Sequence, residues 1–382
     1  MNAPIRPIWD IFCRVIDNYG DIGVCWRLAR QLACEYPIEV RLWVDELSAL
    51  INLWPSAKNV ASQHLEGVHV LRWDAHNEPV FLSFPAHVVI EAFACDIPQT
   101  YQALMAASKD GAPHWINLDY LSAESWVEDC HKLTSISPSN GLKKTFFFPG
   151  FTKRTGGLIR ERHLIEQQKS WQEKSSWLKE RGVIPQKNAL LISLFAYENS
   201  NVQSLMQAWQ EHPTPVHCLI PQGKITHSVN HVLRELQYNE LSHETPLIQL
   251  GNLTLQSIPF LQQDEYDKLL WSMDINFVRG EDSFVRANWA AHPFIWHIYI
   301  QEENAHLEKL SSFLDSFLKN APTELQLRLC DFWQAWNQDY LTPAHWHALL
   351  QVRNEWQWHC LQWREELSEI KDLATQLYES TI

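Results

Sequence analysis

Hydrophobic and polar residues follow one another in a regular order from Ile8 to about Pro149. Short apolar runs alternate with segments of helical period: IWDIFCRVI precedes VCWRLARQLACEY, and IEVRLWVD, GVHVLRW, HVVIEAF and HWINLDYL come after them. Buried strands that alternate with helices are typical of a parallel α/β sheet. This part of the chain therefore predicts a Rossmann-like domain.

A second series of the same kind begins after a charged segment. RERHLIEQQKSWQEKSSWLKERGVIP has a helical period and ends at Gly182 and Pro185, which predicts a connecting helix. The strand patterns NALLISLFAYEN, PVHCLIPQG and PLIQLGNL and the helix-strand pattern EYDKLLWSMDINFVRG follow. We expect an N-terminal domain over residues 1–155, a linker helix over 156–184 and a C-terminal domain over 185–364. We expect the last helix, about 365–382, to pack back on the first domain.

Composition narrows the function classes. A length of 382 residues fits two domains, and 31 Lys and Arg against 45 Asp and Glu give a formal net charge of -14. Such a charge repels nucleic acid and anionic membranes, and no apolar run approaches the roughly 20 residues that span a bilayer. We expect a cytoplasmic protein without nucleic-acid or membrane partners, with its eight cysteines reduced and most of its 19 tryptophans in the core.

The turn after the first predicted strand carries two carboxylates. In VIDNYGDIG, Asp17 and Asp21 flank Gly20 immediately before the first helix, where open α/β sheets bind ligands. A phosphate-binding turn would show G-x-G-x-x-G, whereas the helix dipole here stabilises charged carboxylates. The pattern favours a cation at this position. The alternative is that Asp17 and Asp21 are turn and N-cap residues, a common role of aspartate.

A second strand-turn-helix motif, MDINFVRGEDSFVRANWA, predicts the opposite preference. The first helical turn carries Glu281, Asp282 and Ser283, and its backbone N–H groups, with Arg279 and Arg286 nearby, can hold a diphosphate. Alternatively, Ser283 is only an N-cap, Glu281 and Asp282 interact with the helix dipole, and Arg286 lies on the surface.

Aromatic and amide residues follow other strands of the second series. Phe195 and Tyr197 come after a buried strand, and Phe260 and Gln263 precede a helix, so that a base can stack on a ring and bond to an amide. Core packing is the alternative for Phe260.

The chain shows no H-E-x-x-H, D-x-D or Cys/His ligand set and no G-x-S-x-G, so we expect no metal and no serine nucleophile. Gly156 and Gly157, in FFFPGFTKRTGGLIRER, suggest a hinge or a wall of the site.

Four long motifs together resemble the EarP family of bacterial protein-arginine rhamnosyltransferases. They are WDIFCRVIDNYGDIGVCWRLARQLA, LLWSMDINFVRGEDSFVRANWA, PFLQQDEYDKLLW and PFIWHIYIQEENAHLEKL. The resemblance covers nearly the whole chain. It implies a GT-B glycosyltransferase with two facing Rossmann-like domains and an interdomain cleft. It also implies rhamnose transfer, with inversion and without metal or other cofactor, from dTDP-β-L-rhamnose to an arginine of translation elongation factor P. That modification activates the factor for relief of polyproline stalling, and a monomer is expected.

The resemblance also implies roles for individual residues. Asp21 is the expected general base and Asp17 orients the acceptor guanidinium, with the reverse assignment open. Asn18, Tyr19 and Gly20 form the acceptor-side loop. The donor-binding positions are Phe195, Tyr197, Phe260, Gln263, Arg279, Glu281, Asp282 and Ser283.

Three alternatives remain at this stage. Another GT-B enzyme, such as a sugar-nucleotide epimerase, would use the aspartates on the sugar itself. A non-catalytic binder of the acceptor protein would use them as an arginine clamp. A dinucleotide oxidoreductase is disfavoured by the missing G-x-G-x-x-G.

Overall fold

The computed structural model of the protein describes residues 6–16, 19–73, 85–108 and 111–381. The first part of the chain forms, in order, β1 (Ile8–Cys13), α1 (Gly20–Glu35), β2 (Glu39–Val44), α2 (Leu47–Leu53), β3 (Ser62–Leu65), β4 (Val68–Arg72), β5 (Val88–Ala92), α3 (Gln99–Ala106), β6 (His114–Leu118), α4 (Trp126–Cys130), β7 (Thr134–Ile136) and β8 (Lys143–Phe147).

The second part begins with two short helices and ends in a helical region. Its elements are α5 (Leu164–Ser170), α6 (Lys174–Glu180), β9 (Leu190–Leu194), α7 (Val202–Gln210), β10 (Val216–Pro221), α8 (Ile225–Glu235), β11 (Leu247–Leu250), β12 (Leu253–Ile258), α9 (Gln263–Ser272), β13 (Ile275–Arg279), α10 (Asp282–Ala290), β14 (Phe294–His297), a 3-10 turn (Glu302–Asn304), α11 (Ala305–Phe317), α12 (Thr323–Asn337), α13 (Pro343–Gln351), α14 (Arg353–Ser368) and α15 (Leu373–Glu379).

The chain divides into two compact units. The first comprises Met1–Arg162 and Glu369–Ile382, and the second comprises His163–Ser368. The domain boundaries expected from the sequence stay a prediction. Where the sequence predicts one connecting helix, the structure has α5 and α6 with a break at Trp171, whose ring packs on that of Trp271 at 5.8 Å between centroids. This contact with α9 competes with continuation of the helix.

The first unit contains an eight-stranded sheet in the order β3-β4-β2-β1-β5-β6-β8-β7. The six strands from β4 to β8 in this order run parallel, and the edge strands β3 and β7 run antiparallel to their neighbours. The central strand β1 is buried along nearly its whole length, as a strand covered on both faces must be. Its neighbours are β2 and β5, so the strand order reverses at the carboxyl end of β1, where doubly wound sheets bind ligands.

The second unit contains a six-stranded sheet in the order β11-β12-β10-β9-β13-β14. All strands except β11 are parallel, so the loops after β9, β10, β12, β13 and β14 lie at one edge of this sheet. The core beside it is aromatic: Phe277 on β13 packs against Trp209, Trp336 and Trp346. The prediction that tryptophans mainly form the core is confirmed for these residues, whereas Trp358 is 62% exposed.

The carboxyl-terminal helix α15 lies in the first unit. Tyr378 stacks on Trp9 of β1, and the backbone N–H of Leu373 donates to the carbonyl of Leu158. At Gly157, where φ is +70°, a Cβ would collide with the carbonyl oxygen of Lys371. The close approach of the two segments therefore explains this glycine, for which the sequence suggested a hinge.

None of the helices within the described ranges is both long and apolar enough to cross a membrane.

Candidate active site

Asp21 lies at the reversal point of the first sheet. It occupies the second position of α1, and only 2% of its surface is exposed. Its Oδ2 accepts a hydrogen bond from the backbone N–H of Ile16 at 2.8 Å, and its Oδ1 accepts one from the Tyr120 hydroxyl at 3.2 Å. Tyr19, not Asp21, is the N-cap of α1, so the N-cap alternative is wrong for Asp21. The carboxylate is fixed by the loop and by Tyr120 at the positive end of the helix dipole.

A second carboxylate fixes the same loop. Asp45, directly after β2, accepts from the backbone N–H of Val15 at 2.9 Å. The pKa of buried Cys13, at the end of β1, is raised well above its usual value by its hydrogen bond to Cys25 and by burial, with further contributions from the charges of Asp21 and Asp45. This edge of the sheet therefore carries a negative field that favours a cation.

Tyr120 was not among the residues singled out from the sequence. It follows β6 by two positions, stacks on Phe93 at 4.4 Å between ring centroids, and is 37% exposed. Phe93 follows β5 directly and has a φ of 55°. Tyr120 lies near the carboxyl end of the strand pattern HWINLDYL, where ligands bind in parallel sheets. That position is the sequence signal by which Tyr120 could have been predicted.

The structure describes only some of the other residues predicted on the acceptor side. Asp17 and Asn18 lie outside the described residues. Tyr19 is half-buried, and its hydroxyl oxygen accepts from the side-chain amide of Asn52 at 3.2 Å. Gly20 begins α1. The structure therefore brings Tyr19 and Gly20 next to Asp21.

The edge of the second sheet presents a cation among aromatic rings. Arg279 ends β13, is 6% exposed, and its guanidinium carbon lies 4.8 Å from the ring centroids of both Phe195 and Tyr197. Phe260, which follows β12, is half-buried with its ring centroid 6.3 Å from that of Phe195. The structure thus brings together four of the predicted donor-binding residues. A guanidinium beside aromatic faces suits a ligand with an anionic part and a flat ring.

The first turn of α10 is held to the end of β13 by Ser283. Its hydroxyl accepts from the backbone N–H of Arg279 at 3.0 Å and donates to the carbonyl oxygen of the same residue. Glu281, not Ser283, occupies the N-cap position, so the N-cap alternative for Ser283 is wrong. The N-cap side chain makes no capping hydrogen bond, and the N–H groups of a first helical turn point toward the helix N-terminus, where anions bind in many proteins.

Gln263 and Asp282 connect α9 to the same turn. The Gln263 amide donates to Asp282 Oδ2 at 3.0 Å, and Gln263 is 2% exposed while Asp282 is half-buried. All eight predicted donor-binding residues lie at the end of β13, in the loops after β9 and β12, or at the starts of α9 and α10.

Arg286 behaves differently from either sequence expectation. It is 2% exposed rather than on the surface, and its guanidinium forms a bidentate ion pair with Asp267 of α9 at 2.8 and 2.6 Å. Its charge is thereby neutralised inside the protein, so Arg286 does not add positive charge to the site as expected. It ties α10 to α9 instead.

Two further residues surround the ring of Tyr197 at this edge. The Lys224 ammonium lies 5.7 Å from its centroid, and the imidazole of His297 lies 5.4 Å from it. Neither residue was singled out from the sequence, although both follow or end strands of the second series. Within the described parts of the chain, no group of three or more His, Cys, Asp or Glu side chains is placed to hold a metal ion.

Comparison with known proteins defines the class. The glycosyltransferase of kitacinnamycin, at 11% identity and a TM-score of 0.53, covers 99% of this chain and 100% of that structure. MurG of Acinetobacter baumannii, at 10% identity and a TM-score of 0.51, covers 99% of both chains. These likenesses show the fold alone, and that fold is the GT-B class of glycosyltransferases.

The family follows from closer matches. The model of the family described as Elongation-Factor P (EF-P) rhamnosyltransferase EarP matches residues 9–381, and the chain belongs to this family. A protein-arginine rhamnosyltransferase of Pseudomonas putida KT2440 is 46% identical over 378 residues, which are 98% of each chain. A solved structure described as the structural basis for EarP-mediated arginine glycosylation of translation elongation factor EF-P is 34% identical with a TM-score of 0.69. That match covers 99% of this chain and 100% of the other.

Proposed function

We propose that this protein transfers L-rhamnose from dTDP-β-L-rhamnose to a guanidinium nitrogen of an arginine in translation elongation factor P, with inversion at the sugar. Membership of the EarP family supports the reaction class. The observation that carries the residue assignment is the placement of Asp21: a buried carboxylate where a phosphate-binding turn would otherwise lie.

The acceptor poses the main chemical difficulty. The pKa of a guanidinium lies about 5.5 to 7 units above neutral pH, so removing its proton before reaction costs roughly 7–9 kcal/mol at about 1.36 kcal/mol per pH unit. A carboxylate that accepts hydrogen bonds from the guanidinium holds it and takes the proton as the bond forms. Asp21 is the proposed base, and Asp17 is proposed to orient the guanidinium.

The bond changes balance as follows. The guanidinium nitrogen forms a bond to C1 of rhamnose while the bond from C1 to the diphosphate oxygen breaks. The proton moves to the carboxylate of Asp21, and dTDP leaves with the electron pair. Arg279 and the N–H groups at the start of α10 are proposed to stabilise the charge that develops on the diphosphate.

The other donor contacts complete the proposal. Phe260 and Gln263 are proposed to contact thymine, and Glu281 the ribose or the sugar, while the amides of Asp282 and Ser283 contact the diphosphate. Phe195 and Tyr197 line this site around Arg279. We assign acceptor binding to residues 1–155, including Asn18, Tyr19 and Gly20, and nucleotide-sugar binding to residues 185–364.

Intact mass spectrometry of elongation factor P tests the proposal. Incubation with the protein and dTDP-β-L-rhamnose should add the mass of one deoxyhexose, and an acceptor with lysine in place of the modified arginine should stay unchanged. An α-linkage in the product, read by NMR, is expected from inversion. An unmodified acceptor with an altered sugar nucleotide would indicate an epimerase, and an unmodified acceptor that still binds would indicate a non-catalytic binder.

A further inference from the structure

Several buried nitrogen atoms have no hydrogen-bond partner within the described structure, and two of them, Nη1 of Arg279 and Nδ1 of His297, end strands at the edge of the second sheet. Arg279 is 6% exposed and His297 is 3% exposed. They end β13 and β14 and are paired in register, so their side chains leave the same face of the sheet side by side. The two unsatisfied nitrogens therefore belong to one place in the fold.

Aromatic rings enclose this place. The ring of Tyr197 lies 5.4 Å from the imidazole of His297 and 4.8 Å from the guanidinium carbon of Arg279. Trp336 of α12 also packs against the imidazole, with 5.5 Å between centroids. Both rings restrict the orientation of the imidazole, and its Nδ1 has no acceptor or donor among the described residues.

An unsatisfied buried polar atom destabilises the folded state, so two neighbouring ones require an explanation. Burial, together with the smaller effects of the charges of Arg279 and His306, lowers the pKa of His297 to about 3. A neutral imidazole still offers one N–H donor without adding a second positive charge next to Arg279. One guanidinium and one neutral N–H donor match an oxygen of an anion.

We propose that His297 is a further donor-binding residue, whose Nδ1–H donates to a phosphate oxygen of the nucleoside diphosphate that Nη1 of Arg279 also contacts. The inference rests on the proposed function in that it takes the donor to bind at this edge. It assigns His297 to positioning of the diphosphate. Contact with thymine stays assigned to Phe260 and Gln263.

Calorimetric titration of the full chain with dTDP and with thymidine tests this assignment. His297→Phe keeps a ring and removes the donor, and it should weaken dTDP binding about tenfold while the weaker binding of thymidine stays unchanged. His297→Asn places an amide N–H near the position of Nδ1 and should recover most of the affinity. His297→Gln, whose amide extends past that position, should recover less.

His217→Phe is the matched control. His217 is also buried on this sheet, on β10, but its imidazole is already bonded to Gln256 at 2.9 Å. This variant should keep its dTDP affinity. Equal dTDP affinity in wild type and His297→Phe would overturn the proposal, as would an equal loss in His217→Phe.

A crystal structure of the wild-type protein with dTDP decides the question if the variants do not fold. Nδ1 of His297 within hydrogen-bond distance of a phosphate oxygen would support the proposal, and a distance beyond about 4 Å would overturn it. The two proposals can fail separately. If His297→Phe loses dTDP affinity but the wild-type protein transfers no rhamnose, only the proposed function is contradicted. Transfer by wild type with unchanged affinity in His297→Phe contradicts only this inference.

Discussion

The two parallel sheets have the same kind of edge and opposite chemistry there. At the first edge, Asp21 and Asp45 bind the backbone of the loop after β1 and make the environment negative. At the second edge, Arg279 lies between aromatic rings, and the first turn of α10 has no side-chain cap. The carboxyl-end edge of the sheet thus carries negative charge after β1 in the first unit and positive charge at β13 in the second. The parallel sheet provides the edge in both units, and a few side chains decide the charge that the edge presents.

Asp21→Asn should have the largest effect on the comparison, because it removes the negative charge that the first edge offers to an arginine. We expect rhamnose transfer to fall about 10²- to 10⁴-fold, the range for loss of a general base, with dTDP affinity unchanged. Single-turnover rates from intact mass spectrometry measure this loss. Asp45→Asn is the matched control at the same edge and should retain most of the activity. An equal loss in that variant would mean that displacement of the loop after β1, not removal of the general base, lowers the rate.

Asp267→Ala should destabilise the second unit, since it leaves the buried guanidinium of Arg286 without its ion-pair partner. The expected loss is about 3–5 kcal/mol in free energy of unfolding, whereas the double substitution Asp267→Leu with Arg286→Met should recover most of it. Urea unfolding followed by tryptophan fluorescence measures both. Glu379→Gln breaks the exposed pair with Lys371 in the first unit and should cost less than about 1 kcal/mol. Equal losses in the two single variants would remove the distinction between the pairs.

Arg279→Gln should weaken the second edge alone. Hydrogen bonds to charged groups contribute about 1.5–3 kcal/mol, so we expect dTDP affinity to fall about 10- to 100-fold. The KM for elongation factor P should not change. Calorimetry with dTDP and steady-state kinetics with each substrate provide the measurements. A comparable rise in KM for the acceptor would show that the two edges do not act separately.

Tyr120→Phe should have the smallest effect, because it removes one neutral donor to Asp21 and keeps the ring that stacks on Phe93. A loss of about 0.5–1.5 kcal/mol corresponds to a rate about two- to tenfold lower, with dTDP affinity unchanged. Tyr238→Phe, on an exposed side chain of the second unit, is the control. An unchanged transfer rate in Tyr120→Phe would show that the Tyr120 hydroxyl is not needed to fix Asp21.

Local sequence patterns predicted β1, β2, β4, β5 and β6 of the first sheet and β9, β10, β11 and β13 of the second, but not β3, β7, β8, β12 and β14. The strand prediction from IWDIFCRVI corresponds to β1, and the helical pattern that follows corresponds to α1, because buried parallel strands and amphipathic helices have distinct periods. The family resemblance then supplied the reaction class, which the family match confirms. The roles of individual site residues stay predictions.

Several features of the fold could not be predicted because they depend on contacts between residues that are far apart in the sequence. The break between α5 and α6 accompanies the packing of Trp171 on Trp271, and the role of Arg286 follows from its pairing with Asp267. Such partners cannot be read from the local pattern, since the energy of a buried charge depends on what lies beside it in space.

The sequence by itself determined two α/β series, the carboxylate at the first turn and the basic, aromatic strand ends of the second series. Only the tertiary structure decided that Tyr120 reaches Asp21 and that His297 lies next to Arg279, because register and strand order bring together residues that are far apart in the chain. Strand periodicity specifies which face a residue occupies, whereas sheet order specifies its neighbours, and hydrogen bonding acts only between neighbours.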